Sequence, residues 1–162
     1  MAASLSLRVY TSTNAATQSS AVTGIDLISA DNATNSLANR QANPVTVGTV
    51  SYEKWLKLYV DTAPANAVTN FKAWGDGAVD SSTTLVFTGA YTTGTTPVNT
   101  TSSVANTTFA NFTSGNKATW DSASYSATGA TTKYLVFQLQ VASDAAAGNW
   151  TQETVNYSYD ET

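Results

Sequence analysis

The chain has no cysteine and no histidine in its 162 residues. Without cysteine there is no disulfide framework and no thiolate metal site, and the redox character of the compartment leaves no mark on the sequence. Without histidine the commonest general base, the partner of a serine nucleophile and the usual zinc or copper ligand are all missing, so serine hydrolysis by the standard route is excluded. A Ser-Lys arrangement is chemically conceivable, but no feature selects one serine among so many. Charge is scarce too. Charged residues make up 11% of the chain, against roughly 25% in ordinary soluble domains. The seven Lys and Arg are scattered singly and the net charge is −4, whereas a nucleic-acid footprint needs clustered cations. No apolar run approaches the roughly 20 residues of a membrane-spanning helix. The start, Met1-Ala2-Ala3-Ser4-Leu5-Ser6-Leu7-Arg8, has neither a basic leader nor an apolar stretch ahead of a cleavage site. It does not read as a secretory signal, and a protein made and soluble in the cytoplasm is expected.

Neutral polarity stands in for charge, in clusters such as Thr92-Thr93-Gly94-Thr95-Thr96 and Asn99-Thr100-Thr101-Ser102-Ser103. Threonine favours strands; serine and asparagine favour turns. Aromatic residues reach 10%, with four Trp and eight Tyr, too many for a disordered polar chain. Leu5, Leu7 and Val9 alternate with polar residues and predict a strand at the N-terminus, followed by a polar stretch over 11–23 and a short strand at Ile25-Asp26-Leu27-Ile28. The strongest strand pattern covers 45–61, with Tyr52, Lys54, Leu56, Leu58 and Val60 on one face, the last three toward the core, and Glu53, Trp55, Lys57 and Tyr59 on the other. The turn Ala63-Pro64-Ala65-Asn66 then leads to a strand over 68–74, and the two read as neighbouring antiparallel strands.

A strand is expected at 84–88, and 133–141 reads as a central strand with Leu135, Phe137, Leu139 and Val141 on one face. A last strand over 151–159 places Val155, Tyr157 and Tyr159 together. Between them, 89–130 is rich in Thr, Ser, Asn and Gly and carries Tyr91, Phe109, Phe112, Trp120 and Tyr125 at wide spacing. It is expected to be an ordered, loop-rich excursion held by those aromatics. The fold class that follows is all-β: one antiparallel two-sheet β-sandwich, jelly-roll or Ig-like, over 1–162, with the excursion as an insertion.

The acidic residues Asp61, Asp76, Asp80, Asp121, Glu153 and Asp160 are few, and most sit beside turn residues, where a carboxylate satisfies backbone N–H groups. Gly75-Asp76-Gly77-Ala78-Val79-Asp80 faintly resembles a calcium loop but lacks its carboxylate density, and Asp-Gly is a common hairpin signal. Six Asn-X-Ser/Thr triplets, such as Asn99-Thr100-Thr101, follow from composition. Trp55, Trp74, Trp120 and Trp150 offer either a flat-ring sugar platform or, the favoured reading, core and interface packing. The expectation is a protein without catalysis, metal site or cofactor.

Three stretches carry a resemblance. They are Ser51-Tyr52-Glu53-Lys54-Trp55-Leu56-Lys57-Leu58, then Asn66-Ala67-Val68-Thr69-Asn70-Phe71-Lys72, and an ending with Gln138-Leu139-Gln140-Val141, Gly148-Asn149-Trp150 and Tyr157-Ser158-Tyr159-Asp160-Glu161. Together they resemble a class of small virion proteins of tailed bacteriophages and prophages. The resemblance implies a capsid decoration, or cement, protein that binds the outside of an assembled shell, often as a trimer, with the major capsid protein as partner. It brings no functional residues with it. The alternatives are a tail, head-fibre or host-binding virion subunit, or a carbohydrate-binding surface module. From the sequence itself, partner contacts are expected at the N-terminal strand, through Leu5, Leu7 and Arg8, and in the excursion, through Phe109, Phe112, Trp120 and Tyr125.

Overall fold

Alternation at the N-terminus becomes strand β1 (Ser4–Thr11), which turns through a short 3-10 segment, Thr13–Ala15, into β2 (Thr17–Val22). The tight reversal is made by left-handed backbone at Ser12, Asn14 and Ala15, with φ of 71°, 60° and 49°. The computed structural model describes residues 2–75, 82–146 and 154–162. A short helix, α1 (Leu37–Ala42), is capped by the Ser36 hydroxyl, which accepts from the Asn39 N–H at 3.1 Å. The remaining strands are β3 (Lys54–Thr62), β4 (Val68–Gly75), β5 (Thr83–Tyr91), β6 (Thr107–Thr108), β7 (Ala118–Asp121), β8 (Gly129–Ala130), β9 (Tyr134–Val141) and β10 (Val155–Glu161). With 45% strand and 8% helix the protein is all-β.

The strands form two antiparallel sheets. The seven-stranded sheet runs β2-β1-β3-β9-β5-β6 with β8 on the flank of β3, and the three-stranded sheet runs β10-β4-β7. They stack as a sandwich whose core takes Val9, Leu56, Leu58, Val60, Leu85, Phe87, Leu135 and Phe137 from the large sheet and Val68, Phe71, Ala73, Ala118 and Trp120 from the small one. Period-2 alternation explains this division: the same strands send Trp55, Val86, Tyr134 and Val136 to the outer face of the large sheet. Cross-strand pairs such as Val9 with Leu56, Leu56 with Leu135 and Phe87 with Phe137 fix the register by matching apolar rows.

Several sequence expectations are corrected. β3 and β4 do not pair with each other; they lie in different sheets, so the connection through Pro64 crosses between layers. The strand pattern over 45–61 becomes regular only from Lys54. Residues 25–28 form no strand; Ile25 and Leu27 pack against the core, and the buried Ile28 accepts a backbone bond from Tyr52 N–H at 2.9 Å. The polar stretch 11–23 contains β2, and the excursion 89–130 contains β6, β7, β8 and a 3-10 turn at Phe109–Asn111. Asp76, Gly77, Asp80, Asn149, Trp150 and Glu153 lie outside the described residues.

Candidate docking cleft

The residues expected to meet a partner are distributed quite differently from the sequence reading. β1 is not an exposed edge: it is paired on both sides, to β2 and to β3. The polar run that follows it folds back as the true edge strand. Arg8 lies on the outer face, its guanidinium 3.2 Å from the Asp61 carboxylate and 3.7 Å above the Tyr59 ring. Phe109 and Trp120 are buried in the protein's own core. Phe109 sits 5.2 Å from Phe87 and 4.9 Å from Phe137, and the Trp120 indole N–H donates to Lys133 O at 3.3 Å. Phe112 packs on Phe87 at 4.8 Å, and the Tyr125 hydroxyl donates to Asp121 at 2.6 Å. The excursion therefore spends its aromatics on its own fold, because three short strands with few aliphatics need large rings to fill the space beneath them.

Among the described residues the two layers meet closely along one side. Near the bulge at Ala90, whose φ is 57°, β5 comes against β7, and a Cβ on Gly89 would fall on the Thr119 carbonyl oxygen. On the other side the small sheet ends at β10, while β1 and β2 continue the large sheet beyond it. The floor that the described residues leave uncovered opens into a cleft of about 1590 Å³. Its floor includes Leu5, Leu7, Leu85 and Leu139, one wall is β10 with Val155 and Tyr157, and the far wall is the irregular segment 23–47. Leu37, Val47 and Tyr157, 56%, 42% and 39% exposed, are the exposed large hydrophobics among the described residues, and all three border this cleft. Leu5, Leu7 and Trp120 are thus brought together here, whereas Arg8, Phe109, Phe112 and Tyr125 are not.

Charge at the cleft cancels. Its lining contains Asp26 and Arg40, which pair at 2.8 Å, and Asp26 also accepts the Ser36 N–H at 2.9 Å. The far wall is fastened from behind by Lys54, 2% exposed, whose ammonium donates to Ala30 O at 2.9 Å and Asn32 O at 2.8 Å. Burial pushes that ammonium down to about 8, against the opposing pull of Asp31 and Asp26.

A second polar cluster holds the outer face. The buried Glu53 carboxylate accepts from the Trp55 indole N–H at 2.9 Å, the Ser103 hydroxyl at 2.7 Å, and the backbone N–H groups of Val104 at 3.0 Å and Val98 at 3.3 Å. The buried Gln138 amide donates to Ser51 O at 3.0 Å and Thr100 O at 3.1 Å. These contacts pin the loop 92–106 to the large sheet. Asp61, Asp121 and Asp160 each have structural partners as well, Asp160 accepting from the Asn70 amide at 2.8 Å. Trp55 and Trp120 are buried, and Trp74 is half-buried with the Lys117 ammonium 4.2 Å above its ring, so a flat platform of these rings does not form.

Sequence reading missed the cleft's rim and its fastening. Leu37 and Val47 are isolated apolar residues in an Asn- and Ser-rich segment, and alternation sets Lys54 on the face of Leu56 without showing what its ammonium would bond. Among the described residues no helix is long and apolar enough to cross a membrane. Comparison with protein families, curated proteins and solved structures finds no match to this chain.

Proposed function

We propose that the protein is a non-enzymatic virion structural subunit, a cement or decoration protein that binds the outside of an assembled phage capsid through its major capsid protein and stabilises it. The observation that carries this reading is the cleft: an open apolar surface rimmed by Leu37, Val47 and Tyr157 on a protein that is otherwise neutral and polar. Exposed apolar surface collected in one place marks a docking site rather than random composition. A subunit that binds only the assembled shell shifts the shell's stability by mass action, and repetition over many sites multiplies the gain. Contacts made by apolar and neutral hydrogen-bonding groups also depend little on salt.

Shells lacking the protein, mixed with purified subunit and heated, test the proposal. The temperature of shell disruption should rise with added protein and saturate when the sites are filled, and the gain should persist in high salt. A folded subunit that never sediments with shells would remove the cement function. Sedimentation of the free and the bound subunit reports in the same experiment whether it acts as a homotrimer.

A further inference from the structure

Open apolar floor and unpaired backbone meet at one place, the outer edge of β10. That strand is hydrogen-bonded to β4 on one side and, among the described residues, to no strand on the other. Its far end is closed, since the Ala3 N–H donates to the Glu161 carboxylate at 3.1 Å. The open part runs from Val155 to Ser158, where the register with β4 is regular before the shift between Ser158 and Asp160. Natural edges are usually guarded by lysine, proline or another charge. Val155-Asn156-Tyr157-Ser158 has none of these, and it lies over a floor of leucines.

We propose that this edge is a strand acceptor: an extended, uncharged segment of the shell protein adds beside β10 as a fourth strand of the small sheet, placing every second side chain, apolar, on the cleft floor. The inference rests on the docking function proposed above and names its chemistry. An extended polypeptide is the occupant because the edge offers alternating N–H and C=O groups that only another backbone satisfies in full. The segment is uncharged because the charges at the cleft, Asp26 and Arg40, already satisfy each other, so a further buried charge would have no partner. It alternates because a strand beside β10 turns successive side chains to opposite faces, and only one face meets Leu5, Leu7 and Leu139. Four residues paired along the open edge span about 13 Å at the usual strand rise.

Two arms test this. In the first, the intact protein is mixed with an octapeptide alternating threonine and valine, and separately with one alternating threonine and lysine, and amide hydrogen exchange is followed. The Thr-Val peptide should slow exchange in 155–158 by about tenfold or more near saturation, and the Thr-Lys peptide should not. The double variant Leu37→Asp, Val47→Asp, altered only at exposed rim positions, should keep its melting temperature and lose most of the peptide binding. Equal protection by both peptides, or none by either, overturns the proposal. In the second arm, exchange is measured on shell-bound protein. Protection at 155–158 is expected, and shell binding that leaves these amides unchanged overturns the strand acceptor while the cement function stands. Peptide protection by a protein that never binds shells would instead remove the shell protein as the source of the strand and the cement function with it.

Discussion

The two faces of the large sheet are covered by different means. The inner face meets a second sheet through aliphatic and phenylalanine side chains, and its cover is held by apolar contact. The outer face carries Trp55, Tyr10, Tyr91 and Tyr134 in edge-to-face contacts of 5.2–5.5 Å, under the loop 92–106. That loop has little regular structure, and its backbone groups find partners in Glu53 and Gln138. A sheet can thus be covered by another sheet, which satisfies its own hydrogen bonds, or by irregular chain, provided that buried polar side chains supply the bonds that are missing.

The largest test of this contrast is Phe137→Ala on the inner face. Phe137 is fully buried, and its truncation should cost about 3–5 kcal/mol in denaturant unfolding. A loss under about 1 kcal/mol would mean the inner face is not held by packing. On the outer face, Glu53→Ala strips the acceptor from several buried donors and should cost about 3 kcal/mol. Its signature is local: hydrogen exchange should quicken in 92–106 while β4 and β7 keep their protection. Uniform loss across both sheets would show that the loop is no separate cover.

Stability should also depend on pH, through buried groups on both faces. Burial holds Lys54 down at about 8 against an ordinary 10.5, so across that interval the unfolded chain carries a proton that the folded chain has released. Stability therefore rises with pH there, by about 3 kcal/mol at most. Tyr10 acts in the opposite sense. Burial, reinforced by Tyr134, pushes its hydroxyl up to about 12 from 10.0, so the unfolded chain loses its proton first and stability falls above pH 10. The melting temperature should climb from about pH 8 toward 10 and then drop. Lys54→Met should reduce the climb and leave the drop, the remainder of the climb coming from Lys57, whose ammonium burial also holds down, and a variant that keeps the full climb would assign it to other groups. The smallest expected effect is that of Leu37→Asp with Val47→Asp, within about 0.5 kcal/mol in stability, although under the proposed function shell binding should be lost.

The sequence made the core legible where one face of a strand is buried and the other is not. Leu56, Leu58 and Val60, and Leu135, Phe137 and Leu139, occupy the inner face as their alternation requires. How strands divide between sheets was not legible, because β3 and β4 are close in sequence while their partners, β9 and β7, are chosen over long range. β2 escaped notice because an edge strand exposed on most sides needs no apolar row, and Thr17-Gln18-Ser19-Ser20 provides none. Residues 25–28 looked like a strand because burial alone, without pairing, selects the same side chains. Leu5 and Leu7 were expected beside an exposed edge, but β1 is paired on both sides and the two side chains lie on the cleft floor instead. The faces of Glu53, Lys54 and Gln138 followed from alternation, but their partners lie on distant loops and were beyond reach.

Gly89 lies away from the cleft, at the seam where β5 meets β7. Like the spine of a half-open book, the seam between β5 and β7 fixes the angle between two leaves whose free margin lies at β10. A methyl group at position 89 would press on Thr119 and lift that seam. Because β7, β4 and β10 are bonded into one raft, the tilt would be carried across to the opposite margin. The requirement at position 89 is therefore one of shape alone, room for one strand to lie against the backbone of the other layer.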